Sequence, residues 1–324
     1  MATTTGLDYL RSRTVVDCDT ADIEGRLRSE SEDPYLHDLQ AIILGELLKP
    51  SSAEIVASAK VDAKVLHPKY SSISVEELAV EIGIVRLAVR MSGHVKGTVL
   101  VQTNPYYSYS QEKTIVNALR LVQLFQHVQP GFDITRIAIK IPSTWEGMMA
   151  CHTLELAGVR TLGTMLFTMT QAVLAAEVGC TYISPYVNEL RAHLQEGFVD
   201  HAKLLPLCRA IQEYYKSINA NTQVLGASLT STEEIYSLAG IDRLTISPPL
   251  LEQLSTQAAP VNAPSLFDAA PTTPLPAPGT SYLNDSGKFQ ITFARDLNGA
   301  SNVKLIEAVN AFCGFQDKLV QLMS

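Results

Sequence analysis

The chain has 324 residues, 46% hydrophobic and 18% charged, enough to bury one large core or two ordinary ones. A net charge of −8, from 25 basic and 33 acidic residues, argues against a nucleic-acid partner and favours solubility. No run of about 18 apolar residues is available to span a membrane, and the start, Met1-Ala2-Thr3-Thr4-Thr5-Gly6, lacks the basic and apolar regions of a secretory leader, so a cytoplasmic location is expected.

In chain order, the first legible element is the strand Thr14-Val15-Val16-Asp17-Cys18-Asp19, which ends in a carboxylate. Residues 36–48 and 75–91 carry apolar side chains at three- and four-residue spacings, as amphipathic helices do. In the second, Leu78, Ile82, Val85 and Val89 form the apolar stripe, and Ser74 with Glu77 has the spacing of a capping box. A strand at 98–104 closes on Asn104-Pro105, and a helix at 111–127 ends before Pro130-Gly131. A strand follows at 136–141, then a helix at 146–156 with Gly158 just past its end.

The alternation then repeats. Strands at 160–166, 181–184, 223–227 and 243–246 precede helices at 170–178, 202–216, 231–238 and 249–254. Seven strands are legible, and the eighth is expected near Ser29 to Pro34. Residues 258–281, rich in Pro, Ala and Thr, read as a surface loop, followed by a helix at 303–323. Strand–helix alternation at this rhythm gives a parallel sheet, and an eightfold count in a chain of this size points to one closed (β/α)8 TIM barrel spanning 1–324 with an additional C-terminal helix. No G-x-G-x-x-G follows any strand, which removes the main support for a dinucleotide fold and for a nucleotide cofactor. The five cysteines are scattered without CxxC pairs and the seven histidines do not cluster, so buried reduced thiols and no metal site are expected.

One residue breaks the pattern of its strand. Lys140 lies in Ile137-Ala138-Ile139-Lys140-Ile141-Pro142, an otherwise apolar run. A buried ammonium is costly, because desolvation favours the neutral amine. A neutral amine in an apolar pocket is what attack on a carbonyl and Schiff-base formation require. The alternative is a strand-end lysine whose head reaches water. In a β/α barrel, catalytic groups sit at the C-terminal ends of strands. Those ends carry Asp19, Gln102, Lys140, Thr164, Ser184 with Tyr186, and Ser228. Each has an ordinary explanation alone, as a helix cap, a turn hydroxyl or a core aromatic. Their convergence from different strands is what suggests a site.

The stretch Ile139-Lys140-Ile141-Pro142-Ser143-Thr144-Trp145-Glu146-Gly147 resembles the Schiff-base signature of the transaldolases. The similarity extends over nearly the whole chain, through VDCDTADI (16–23), TMLFTMTQA (164–172), Ile183-Ser184-Pro185, Gly226-Ala227-Ser228 and DRLTISP (242–248). The resemblance implies that Lys140 is the nucleophile and Asp19 the acid/base. It implies that Thr164 positions a catalytic water and that Ser184 and Ser228 line the substrate site. No cofactor is implied. The partners implied are a small carbonyl or sugar-like substrate and a second copy of the chain. Such homodimers form through the C-terminal helix region, and the spacing of Leu305, Val309, Phe312 and Leu319 suits either that contact or burial within one chain.

The chain also departs from the family pattern. The family's T-T-N-P segment has Ser31-Glu32-Asp33-Pro34 as its best counterpart, so Asp33 replaces a substrate-binding amide. The family glutamate of the next strand falls at Gln102, or at Thr98 if the gap is placed differently. Tyr186 replaces a phenylalanine. Tyrosine here with glutamine for glutamate resembles the fructose-6-phosphate aldolase branch, in which the phenol helps water release the Schiff base. The two arginines of the family's phosphate clamp fall at Glu189 and Thr230, with Arg191 and Arg243 as the nearest substitutes. Arg243 opens a strand and is expected at the opposite end of the barrel. Three functions fit this pattern: a Schiff-base aldolase or transaldolase-like enzyme on an unphosphorylated or unusual carbonyl, an ordinary pentose-phosphate transaldolase, or a non-catalytic member that binds a metabolite or protein.

Overall fold

Val, Ile or Leu residues occur in every strand and are mostly buried, as expected where both faces of a parallel sheet are covered. A computed structural model describes residues 4–19, 40–95, 97–259, 265–269 and 274–324. Among these residues seven strands form one sheet: β1 (Val15–Cys18), β2 (Val99–Gln102), β3 (Ile137–Pro142), β4 (Arg160–Leu166), β5 (Tyr182–Pro185), β6 (Gln223–Gly226) and β7 (Arg243–Ile246). All pairings are parallel, in the order β1-β7-β6-β5-β4-β3-β2, so the last strand lies beside the first and the sheet curls as a half-barrel. The segment 29–34, where the eighth strand is expected, lies outside the described residues.

Register separates the two faces. Leu100 pairs with Ala138 and Leu162 with Tyr182, and the four form a small cluster on the concave side. Ile137, Ile139, Ile141, Ile183 and Val224 belong to the main core between sheet and helices. Because side chains alternate along a strand, Lys140 and its register partners Gln102 and Leu162 share the concave side with Ala138. Deeper on that side, Arg243 donates to Asp17 from Nε (3.0 Å) and Nη2 (2.7 Å), and its guanidinium lies 5.9 Å from the Tyr182 ring centre. This pair fills the end of the sheet away from the strand C-termini, as expected for a residue that opens β7.

Helices Val75–Ser92, Gln111–Val128, Trp145–Leu156, Met169–Glu177, Leu205–Ser217, Thr232–Ser237 and Pro248–Thr256 follow the expected rhythm. The cap at Ser74 is only half of a capping box. Its hydroxyl accepts from the Glu77 N–H, but the Glu77 carboxylate is occupied by Asn104 Nδ2 (2.8 Å) and the Tyr107 hydroxyl. Helix Trp145–Leu156 ends with Gly158 at φ +79°, with the Val159 N–H bonded to Leu154 O (2.9 Å) and the Gly158 N–H to Glu155 O (3.0 Å). A left-handed residue there suits glycine.

Among the described residues four helices are additional to the sequence pattern: Gly6–Arg11, Ala53–Leu66, Arg191–Leu194 and Ser286–Arg295. Ala53–Leu66 buries only Ala59 and Ala63, leaving Val61 and Val65 exposed, so it lacks a strong apolar stripe. Ser286–Arg295 is capped by Asp285 and buries Phe289 and Phe293, one turn apart. It separates the Pro-rich segment from the last helix. That segment is not merely a surface loop: Ser265 is buried and donates to Ala239 O (2.6 Å), and Asp268 pairs with Arg13.

The last helix is Ser301–Met323. Its stripe of Leu305, Val309, Phe312 and Leu319 is buried within the chain, so these residues do not offer a free face to a second copy. No helix among the described residues is long and apolar enough to cross a membrane. Among the described residues no disulfide forms: Cys18, Cys151, Cys180 and Cys208 are buried and Cys313 is partly buried.

Candidate active site

The C-terminal ends of the strands surround a cavity of about 300 Å³. Lys140 from β3, Asp19 just after β1, Tyr186 just after β5, and Ser228 just after β6 all line it. Thr245 and Ser247 from the end of β7 complete the polar part. Lys140 is 2% exposed. It is held by the register of β3 between β2 and β4, and the strand ends where Thr144 caps the next helix by accepting from the Gly147 N–H (2.9 Å). A Cβ on Gly147 would lie 2.1 Å from Pro142 O, so the glycine of the lysine motif permits the helix to seat against the end of β3.

Gln102, Thr164 and Ser184 are buried on the same side of the sheet, by strand alternation. Thr164 Oγ1 donates to the Tyr186 hydroxyl at 3.3 Å, and Phe167 packs edge-on against the Tyr186 ring. Burial pushes the Tyr186 phenol well above its ordinary pKa, opposed by the Thr164 hydrogen bond and reinforced by the charge of Asp19. Asp33 lies outside the described residues.

Several buried polar atoms here have no hydrogen-bond partner: Asp19 Oδ1, both amide atoms of Gln102, Ser184 Oγ and Thr245 Oγ1. Unsatisfied groups of this kind are costly in a core and call for an explanation. Asp19 and Thr245 line the cavity, and Gln102 and Ser184 lie on the same side of the sheet, which makes a polar ligand the economical explanation.

Sequence reasoning missed His193. It lies in the short helix Arg191–Leu194 after β5, and only its placement in a strand-to-helix connection of a barrel could have drawn attention to it. It lines the cavity mouth, and its Nε2 is 2.7 Å from Ser228 Oγ. Since Ser228 Oγ donates to Asn188 O (2.7 Å), the imidazole is the donor in that contact. Partial desolvation lowers the His193 pKa, opposed by Asp19, Glu234 and Ser228. Ser228 has φ +62°, a left-handed conformation that costs about 1–2 kcal/mol for a side chain with Cβ. The hydrogen bonds around it hold it there.

The positions expected for a phosphate clamp are built differently. Glu189 accepts from Lys304 (2.7 Å) and pairs with Arg191 (2.7 Å), and its N–H is held by Asp200 (2.8 Å). Arg191 also approaches Glu307 (3.6 Å) and lies over the Phe198 ring. Thr230 donates through its N–H and hydroxyl to Glu234, which also pairs with Lys203 (2.7 Å). Arg191 and Arg243, the two possible substitutes, are therefore committed to carboxylates. Among the described residues no group of three His, Cys, Asp or Glu side chains is placed to hold a metal ion.

Comparison with known proteins shows the family. The family model described as transaldolase/fructose-6-phosphate aldolase matches residues 40–321. The chain is similar to the transaldolase of Schizosaccharomyces pombe, 33% identical over 94% of each chain. It is 34% identical to the transaldolase of Shewanella putrefaciens over 97% of this chain and 96% of that one. It is 36% identical to that of Glaesserella parasuis over 79% and 81%. A parallel sheet with the lysine of the family motif at a strand end, matched over this length, makes the chain a member of the transaldolase/fructose-6-phosphate aldolase family, whose members are class I aldolase-type enzymes.

Proposed function

We propose that the protein makes or breaks a carbon–carbon bond through a Schiff base on Lys140, acting on an unphosphorylated or otherwise atypical carbonyl compound. The observation that supports this most is the buried Lys140 sharing one cavity with Asp19 and Tyr186, beside polar atoms without partners. The eight-stranded form of the barrel belongs to the same reading and is supported by the pairing of the first strand with the last.

In this mechanism the neutral Lys140 amine attacks the carbonyl carbon, and the carbinolamine oxygen leaves as water after taking a proton from Asp19. The resulting iminium draws the electrons of the neighbouring C–C bond into an enamine, while the hydroxyl of the departing aldehyde returns its proton to Asp19. The enamine then adds to a second aldehyde, or takes a proton and is hydrolysed. Tyr186 keeps its proton at neutral pH because burial disfavours the phenolate, so it serves as a hydrogen-bond donor to the attacking water rather than as a base. Thr164 holds that hydroxyl, and Gln102 and Ser184 supply further partners for the substrate or water.

A second reading, transaldolase chemistry on sugar phosphates, is favoured by the name of the relatives, all called transaldolase. Glu189 and Thr230 at the clamp positions weigh against it, because a carboxylate repels the group that a guanidinium would bind.

The test is borohydride trapping. Incubation with dihydroxyacetone and borohydride should add the reduced donor to the peptide containing Lys140, and Lys140→Met should lose both adduct and turnover, by about a thousandfold or more in kcat. Full activity in Lys140→Met would refute the mechanism.

A further inference from the structure

The cavity lining is of two kinds. Asp19, Lys140, Tyr186, Ser228, Thr245 and Ser247 supply polar groups. The apolar wall is made by Ile42, Leu190, Leu194, Leu229, Phe312 and Phe315. These residues come from four separate parts of the chain: helix Gln40–Leu47, the connection after β5, the turn after β6, and the C-terminal helix. Phe312 and Leu229 are buried, while Leu194 is half exposed at the mouth.

Among the described residues, the nearby cations do not relieve this apolar character. Lys304 and Arg191 are paired with Glu189, and Lys203 with Glu234. None of the three lines the cavity. His193 also lines the cavity, with one ring nitrogen committed to Ser228. A phosphoryl group placed against the leucine and phenylalanine wall would lose its water shell without gaining a charged partner, an unfavourable exchange. An alkyl or aryl group placed there would gain by leaving water.

We propose that this wall is the subsite for an uncharged, apolar substituent of the substrate, so that the enzyme takes an aldehyde or ketone bearing a hydrocarbon or aryl tail. The inference rests on the Schiff-base reading above, since the tail is oriented by a carbonyl bound at Lys140. In the carbon–carbon step, the tailed carbonyl compound forms the iminium on Lys140, the Asp19 carboxylate takes a proton from its α-carbon, and the resulting enamine carbon bonds to the carbonyl carbon of a second aldehyde. The aldehyde oxygen takes one proton from the Asp19 carboxyl group, and water then releases the β-hydroxy aldehyde or ketone and restores the amine.

The experiment compares reductive labelling at Lys140 by 3-phenylpropanal, glyceraldehyde 3-phosphate and dihydroxyacetone with cyanoborohydride, read by peptide mass spectrometry. The exposed Lys64 and Lys318 report non-specific reaction. We expect 3-phenylpropanal to half-saturate Lys140 at a concentration at least ten times lower than glyceraldehyde 3-phosphate does. Leu194→Arg, at the half-exposed mouth, should shrink that ratio at least fivefold. If dihydroxyacetone labels Lys140 but the phosphorylated aldehyde matches or beats 3-phenylpropanal, the apolar subsite is refuted and the Schiff-base reading stands. A ratio unchanged in Leu194→Arg also refutes the subsite. If no probe labels Lys140 above Lys64 and Lys318, both proposals fall together.

Discussion

Lys140 gains its meaning from what surrounds it. As a letter in the sequence it is a cation in an apolar run, open to two explanations. In the structure it is buried at the end of β3, within a cavity that also receives Asp19, Tyr186 and Ser228. In the proposed mechanism Tyr186 is the residue whose role separates hydrolysis from transfer. With its proton retained by burial and its oxygen met by Thr164, it is suited to hold a water near the iminium. Tyr186→Phe should therefore keep the trapped adduct at Lys140 but slow its hydrolysis by about a hundredfold, the lower range for a positioned proton-transfer group. Stopped-flow release of the reduced-sensitive adduct, compared with transfer to an added aldehyde, would measure this. Equal loss of trapping and hydrolysis would place Tyr186 in binding instead.

At the scale of elements, two packing contacts make testable claims. Gly147 lets helix Trp145–Leu156 approach β3, and an alanine Cβ would meet the Pro142 carbonyl, which is backbone and cannot swing aside. Gly147→Ala should cost about 1–3 kcal/mol in urea unfolding, as overpacking does, and reduce trapping by displacing the strand end. Unchanged stability would show that the helix can shift freely. The second contact joins helices Val75–Ser92 and Gln111–Val128. Glu81 accepts from Arg120 Nε (2.6 Å) and Nη2 (2.7 Å) and from Asn117 Nδ2 (2.7 Å), all buried. Burial raises the Glu81 carboxyl to about 7 while Arg120 pulls it down. Arg120→Met removes the pull and leaves a buried acid, at a cost of about 3 kcal/mol at neutral pH. With its folded pKa raised above the unfolded value of 4.5, Glu81 binds more protons when folded. Its contribution is thus fully present below about pH 4.5 and is lost as pH rises through 7, so the variant should be less stable at about pH 8 than at about pH 5. Urea melts at the two pH values check the sign.

For the whole molecule, the C-terminal helix is part of the core and part of the cavity wall. Leu305, Phe312 and Leu319 are buried against the rest of the chain, and Phe312 and Phe315 reach the cavity. Leu305→Asp should lower the melting temperature by the same amount at low and high protein concentration, because the lost contact lies within one chain. A shift that depends on concentration would instead indicate an interface between copies. Lys304 from the same helix holds Glu189, so the helix also helps set the charge beside the site.

Strand order and the identity of most elements were legible in the sequence because strand–helix alternation is a local pattern with a strong hydrophobic signal. Helix Ala53–Leu66 was not, since it buries only two alanines and leaves valines exposed. Helix Ser286–Arg295 was hidden by the Pro-rich segment before it, although Asp285 and the Phe289–Phe293 spacing were available signals. The lysine motif and the strand-end residues were also legible, because chemistry at a strand end depends on residue type and position along one element. His193, the commitment of Arg191 and Lys304 to Glu189, and the apolar wall of the cavity were not. Each depends on side chains brought together from distant parts of the chain, and pairing across such distances leaves no period or spacing to read. The sequence by itself determined the alternating fold and singled out the amine proposed to do the chemistry. Only the tertiary structure decided what stands opposite that amine, since burial and charge pairing are properties of the packed chain rather than of any segment in it.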